Sequence, residues 1–189
     1  VRLFVAVELS RATRDAVVAE QKRIASAIGR SAAPLEWVRA DHVHLTLVFL
    51  GQVDEARVPA LVDAVGQDID LAPFDVVFSG LGLFPSRGAP RVVWAGIDAG
   101  VHELQLLHHA IATRVAAQGV ALEERAFHPH LTLARWPGAR PSDRVRAMAA
   151  ARPGAIARER VAAATLFESR LSPDGATHIA LTRANLTRR

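Results

Sequence analysis

The tetrapeptide His-Leu-Thr-Leu occurs twice in this chain, at 44–47 and 130–133, once in each half of the 189 residues. Each copy lies in a short apolar run, HVHLTLVFLG and HPHLTLAR, with the length and composition of a buried strand. Side chains alternate across a strand. His44, Thr46 and Val48 are therefore expected on one face, and Leu45, Leu47 and Phe49 on the other, with Phe49 in the core beside Leu45. The second copy divides the same way, His130 and Thr132 against Leu131 and Leu133. A polar pair on one face of an otherwise apolar strand must find hydrogen bonds or water. A cleft between two lobes supplies both.

The rest of the pattern frames these strands. Residues 2–9 alternate as a strand, and Ser10 is placed to cap a helix over 11–28 that Gly29 ends. Strands are expected at 36–38 and 43–50, then a helix from Asp54 to about residue 69 with Val58, Leu61, Val62 and Val65 at helical spacing. Strands at 74–84 and 91–98 flank the loop PSRGAP, where Arg87 and Arg91 suit the path of an anionic ligand and an ordinary hairpin connection equally well. A helix over 101–118 shows Val101, Leu104, Leu107, Ile111 and Val115 as its apolar stripe, with His102, His108 and His109 as surface residues and Gly119 as terminator. A strand at 130–134, a short helix at 142–151 and a hairpin turning at Pro173-Asp174-Gly175 complete the chain. Strands and helices mix without strict alternation, which favours an α+β fold with largely antiparallel sheets. One tetrapeptide per half suggests a bilobal, pseudo-duplicated chain, its sheets lining a central cleft and its helices outside. Trp37, Trp94 and Trp136 are expected as core anchors.

Composition narrows the chemistry. There is no cysteine and no tyrosine, which excludes disulfides, thiolate nucleophiles, Cys-type zinc sites and a tyrosine acid or base. No apolar run approaches a membrane span, and the opening VRLFVAVEL alternates like a strand rather than a secretory signal, so a cytoplasmic protein is expected. It is also expected to be a monomer. The formal charge is +4, and every basic side chain except Lys22 is arginine. That balance supports an anionic substrate.

Two imidazoles suit a reaction that removes one proton and delivers another, because near neutrality one can be a base while its partner is an acid. Thr46 and Thr132 add hydroxyls that donate to phosphate oxygens without adding charge. Two His and two Thr converging on one centre fit in-line phosphoryl chemistry without a metal. The rival is zinc: His42 with His44, and His128 with His130, form two HxH pairs.

HLTLVFLG and PHLTLAR resemble the two HxTx signatures of the two-histidine (2H) phosphoesterases, and most closely the RNA 2′,3′-cyclic phosphodiesterase branch, historically called 2′-5′ RNA ligase. The likeness covers nearly the whole chain, from RLFVAVEL through LGLFPSRGAPRVVWAGI to LFESRLSPDGATHIAL. It implies one bilobal domain over 1–189 with His44 and His130 facing each other across the cleft. It implies hydrolysis of a terminal 2′,3′-cyclic phosphate to a 2′-phosphomonoester, with neither metal nor cofactor, on RNA ends or nucleotides. One histidine then activates water and the other protonates the leaving oxygen, with His130 as base and His44 as acid the preferred order and the reverse left open, and Thr46 and Thr132 hold the phosphate. The family also places an arginine five residues after the second histidine, here Arg135, as a substrate contact. Strict alternation puts Arg135 opposite His130, so the assignment requires the strand to end or bulge near Ala134. A tyrosine usual in the closing hairpin is His178 here. Joining of 2′-5′ ends, action on ADP-ribose 1″,2″-cyclic phosphate or 2′-5′ oligoadenylate, and nucleotide binding without turnover remain open alternatives.

Overall fold

The computed structural model describes residues 1–29, 33–123, 126–172 and 175–188. Among these, two antiparallel sheets carry the architecture. The first has the order β3-β1-β8-β9, formed by His44–Gln52, Arg2–Glu8, Ala163–Ser172 and Gly175–Asn185. The second has the order β2-β6-β5-β4-β7, formed by Glu36–Trp37, Leu131–Arg135, Val92–Ala99, Phe74–Phe84 and Ala155–Val161. Four helices accompany them among the described residues: α1 Arg11–Ile28, α2 Val58–Gly66, α3 Val101–Ala117 and α4 Asp143–Ala149. The α+β, mainly antiparallel fold expected from the element order is the one observed. Pro173 and Asp174 of the expected turn lie outside the described residues, and β8 and β9 on either side of them pair antiparallel.

The duplication is visible in how helices are exchanged. β1 pairs with motif strand β3 and leads into α1, yet α1 packs on the second sheet against β7, and on α4. β5 pairs with motif strand β6 and leads into α3, yet α3 packs on the first sheet against β3. Each half lends its helix to the other half's sheet. One continuous apolar core results, containing Leu45 and Leu47 together with Leu131 and Leu133. The leucines of both tetrapeptides thus do what their alternation requires.

Local signals act as expected at α1. Ser10 Oγ accepts the Thr13 backbone N–H at 3.2 Å, and Gly29 closes the helix at φ 66°, a region open to glycine at little cost. The helix expected from Asp54 is shorter. Asp54 caps a 3₁₀ turn at Glu55–Arg57 by accepting from the Ala56 N–H, and α2 then runs only to Gly66. Strand β7 was not expected from the sequence. Its run Arg158-Glu159-Arg160 looks like solvated charge, but the alternation is inverted. The two arginines point outward to Asp75 on β4, while Glu159 is buried and accepts from both Ser10 N–H and Ser10 Oγ at 2.9 Å. An inward carboxylate on an edge strand hides the hydrophobic period. No helix among the described residues is long and apolar enough to cross a membrane.

Candidate active site

Both motif histidines are held by one local device. His44 opens β3, and His130 stands just before β6. His44 Nδ1 lies 2.7 Å from the His42 carbonyl oxygen, and His130 Nδ1 lies 2.7 Å from the His128 carbonyl oxygen. A carbonyl only accepts, so Nδ1 carries the hydrogen in both rings and Nε2 is the atom left for chemistry. His42 and His128 therefore serve the site through their backbones. Motif strands β3 and β6 belong to different sheets but touch each other, so the two motifs meet where the sheets adjoin.

Each motif strand then departs from alternation at the same place. In β3, Thr46 pairs with Ala6 and Val48 with Val5, leaving Leu47 as an extra residue in the ladder. In β6, Thr132 pairs with Trp94 and Ala134 with Val93, leaving Leu133 extra. These bulges bury two successive residues, Leu47 with Val48 and Leu133 with Ala134. The residues directly beyond them are turned over. Phe49, expected in the core, is 56% exposed and sits opposite Phe4 on the His44 and Thr46 face. Arg135 is exposed and pairs with Val92, on the same face as Thr132 and Trp94. The fifth residue after each histidine thus shares the face of the motif threonine, an aromatic ring in one half and a guanidinium in the other.

Both bulges are fastened by a side chain from the exchanged helix. His108 Nδ1–H of α3 donates to the Leu47 carbonyl at 2.8 Å. Gln21 Nε2 of α1 donates to the Leu133 carbonyl at 2.9 Å and to the Val38 carbonyl at 2.9 Å. His108, expected as a surface residue, is half-buried and stacks flat on Phe127 at 4.2 Å and 3°. It links the bulge of the first motif to the segment leading into the second. Neither role was drawn from the sequence. For Gln21 a signal existed: it interrupts the buried stripe Val17, Ile24, Ile28 of α1. We expect His108→Ala to cost about 1–2 kcal/mol in denaturant unfolding. It should also lower kcat/KM about tenfold, as loss of one positioning hydrogen bond would. His108→Gln, which restores the donor used in the other half, should recover more of the activity than of the stability.

The rings around the two imidazoles set their charge. His44 packs on Phe4 at 4.9 Å and edge-on to His178 at 5.2 Å, and Phe4 stacks on Phe167 at 5.2 Å. The residue standing where a tyrosine is usual thus still presents an aromatic ring to His44. His130 meets Phe84 edge-on at 5.0 Å and Trp94 at 5.9 Å. Burial among these rings pulls His44 down from 6.5 to about 4, helped by the proximity of His178 and His42 and opposed by the His42 carbonyl. Burial also lowers His130, less strongly, with the His128 carbonyl opposing. His178 is lowered by burial and by His42, with Asp41 opposing. Thr46 and Thr132 are half-buried. Trp136 is a core anchor, fully buried with Nε1–H donating to the Ala33 carbonyl, whereas Trp94 faces the cleft. Arg91 is tied to the Pro137 carbonyl at 3.1 Å. Among the described residues, no three His, Asp or Glu side chains converge as a metal-binding group.

The sequence profile of the 2′-5′ RNA ligase superfamily matches residues 11–172. An RNA 2′,3′-cyclic phosphodiesterase of Aeropyrum pernix is 35% identical over 124 residues, covering 66% of this chain and 70% of that protein. Another, of Methanothermobacter thermautotrophicus, is 29% identical over 177 residues and covers 93% of both chains. The crystal structure of E. coli LigT complexed with 3′-AMP superposes with a TM-score of 0.75 at 26% identity, covering 99% of this chain and 98% of that one. The profile spans most of the chain, both motif strands included, and the fold agrees from end to end: this protein belongs to the 2′-5′ RNA ligase superfamily.

Proposed function

We propose that this protein is an RNA 2′,3′-cyclic phosphodiesterase that opens a terminal 2′,3′-cyclic phosphate to a 2′-phosphomonoester, with His44 and His130 as its acid–base pair. One observation carries the reading. The same unit, an imidazole locked through Nδ1 with a hydroxyl two residues on, stands on each of two adjoining sheets. Two Nε2 atoms on opposite sides of a phosphorus are what in-line displacement requires. One takes a proton from water as the new P–O bond forms. The other gives a proton to O3′ as its bond to phosphorus breaks. Thr46 and Thr132 donate to the non-bridging oxygens, and Arg135 offsets the charge that grows on them. Phe49 offers the terminal base an exposed ring to stack on. Burial favours neutral His44 in the protein by itself, so its role as acid requires the bound phosphate to draw the proton back to it.

The test is incubation with nucleoside 2′,3′-cyclic phosphates, short RNAs that end in one, ADP-ribose 1″,2″-cyclic phosphate and 2′-5′ oligoadenylate, with and without EDTA. We expect 2′-phosphate products from the first two, undiminished by chelation. A 3′-phosphate product, or loss of turnover restored by zinc, overturns the mechanism. Arg135→Ala should lower kcat/KM about 10- to 100-fold, as expected for a lost hydrogen bond to a charged group. Phe49→Ala should raise KM about tenfold with little change in kcat, as loss of one stacking contact does. Unchanged kinetics for both would return the residues beyond the bulges to a structural role.

A further inference from the structure

A cavity of about 410 Å³ continues the cleft face of the second sheet beyond the second motif. This volume falls in the range of small-molecule sites, about 300–1,000 Å³. His128 and Pro129, the two residues before His130, form one end, so the cavity opens directly beside the proposed reaction centre. Its walls are flat and aromatic. Trp94 lies so close over Gly82 that a Cβ there would come within 2.1 Å of the indole, which keeps the ring pressed to the sheet. Phe127 is held in plane by His108 stacking behind it. The Trp94 Nε1–H is buried without a hydrogen-bond partner among the described residues.

The polar lining excludes a phosphate. No arginine or lysine lines the cavity, and Asp98 contributes a carboxylate, joined by Ser79 and Gln105. An ionised carboxylate accepts hydrogen bonds and repels an anion. Flat aromatic walls with one acceptor fit a nucleobase that carries an exocyclic amine. We propose that this cavity is the subsite for the penultimate nucleoside of the RNA, and that Asp98 selects adenine, cytosine or guanine over uracil there by accepting from the exocyclic amine. The proposal rests on the phosphodiesterase reading and adds what that reading lacks, a reason to prefer an RNA end over a mononucleotide.

Steady-state kinetics on dinucleotides ending in a 2′,3′-cyclic phosphate, with A, C, G or U in the first position, and on the matching mononucleoside cyclic phosphates, tests this. Dinucleotides with A, C or G first should exceed mononucleosides about tenfold or more in kcat/KM, chiefly through KM, the size expected for one stacked base. Uracil first should trail adenine by about tenfold, the value of one charge-assisted hydrogen bond. Asp98→Ala should bring the adenine-to-uracil ratio close to one. The side chain is solvent-exposed, so folding is not at stake. Equal rates for dinucleotides and mononucleosides, or a base preference that survives Asp98→Ala, overturns the subsite. If mononucleosides react without a dinucleotide gain, the subsite alone falls; if neither class reacts, the phosphodiesterase reading falls with it.

Discussion

His130→Ala is expected to reduce kcat/KM on a 2′,3′-cyclic phosphate by about 10²- to 10⁴-fold, and His44→Ala by a similar factor, the usual worth of a positioned acid or base. Each ring is half-buried and is held by a hydrogen bond to a carbonyl two residues back in its own chain. Removing it disturbs packing against Phe4 or Phe84, each on a strand of the motif's own sheet. The loss should therefore appear in turnover far more than in the unfolding midpoint. The double variant should be little worse than either single one, because groups that act as a unit are strongly non-additive. Merely structural histidines would show the reverse, with lower stability and near wild-type rates. That outcome would end the acid–base assignment.

The pH profile should be bell-shaped and displaced to the acid side. In the proposed mechanism the pair holds one proton between two imidazoles. Burial is the largest influence on both, and both lie below 6.5, with His44 at about 4. Because kcat/KM reports the free enzyme, its acid limb follows gain of the second proton near the lower value. Its alkaline limb follows loss of the shared proton at the upper value, still under 6.5. Rates should be highest between these limbs and fall about tenfold per unit beyond, roughly 100-fold across the two units above the alkaline limb. The kcat profile should shift upward in pH, since an anionic phosphate between the rings favours their charged forms. A kcat/KM that is flat from weakly acidic to weakly alkaline pH would mean that these rings do not carry the protons.

Much of this architecture is legible in the sequence. The repeated tetrapeptide located both strands, and its leucines pack in one core as their alternation requires. Ser10, Asp54 and Gly29 act at the helix ends where their chemistry placed them. What escaped has specific causes. Strand β7 was hidden because Glu159 turns inward to Ser10, which reverses the hydrophobic period. His108 looked like a surface residue because the carbonyl it serves, on Leu47, lies in a different sheet element far along the chain. Gln21 sat in plain view on a buried stripe, but its partner at Leu133 is equally remote in sequence.

By itself the sequence determined the residue set and its two-fold plan: two imidazoles, two hydroxyls and the apolar strands that carry them, all set by residue type and short-range spacing. Only the tertiary structure decided which way the chain points after each threonine. A bulge costs a ladder residue and is repaid by a donor from another element, here His108 for Leu47 and Gln21 for Leu133. No local pattern encodes that exchange, because it depends on a helix borrowed from the other half of the molecule. Once made, it turns Phe49 and Arg135 out of the positions that alternation assigns and sets them on the face of the motif threonines.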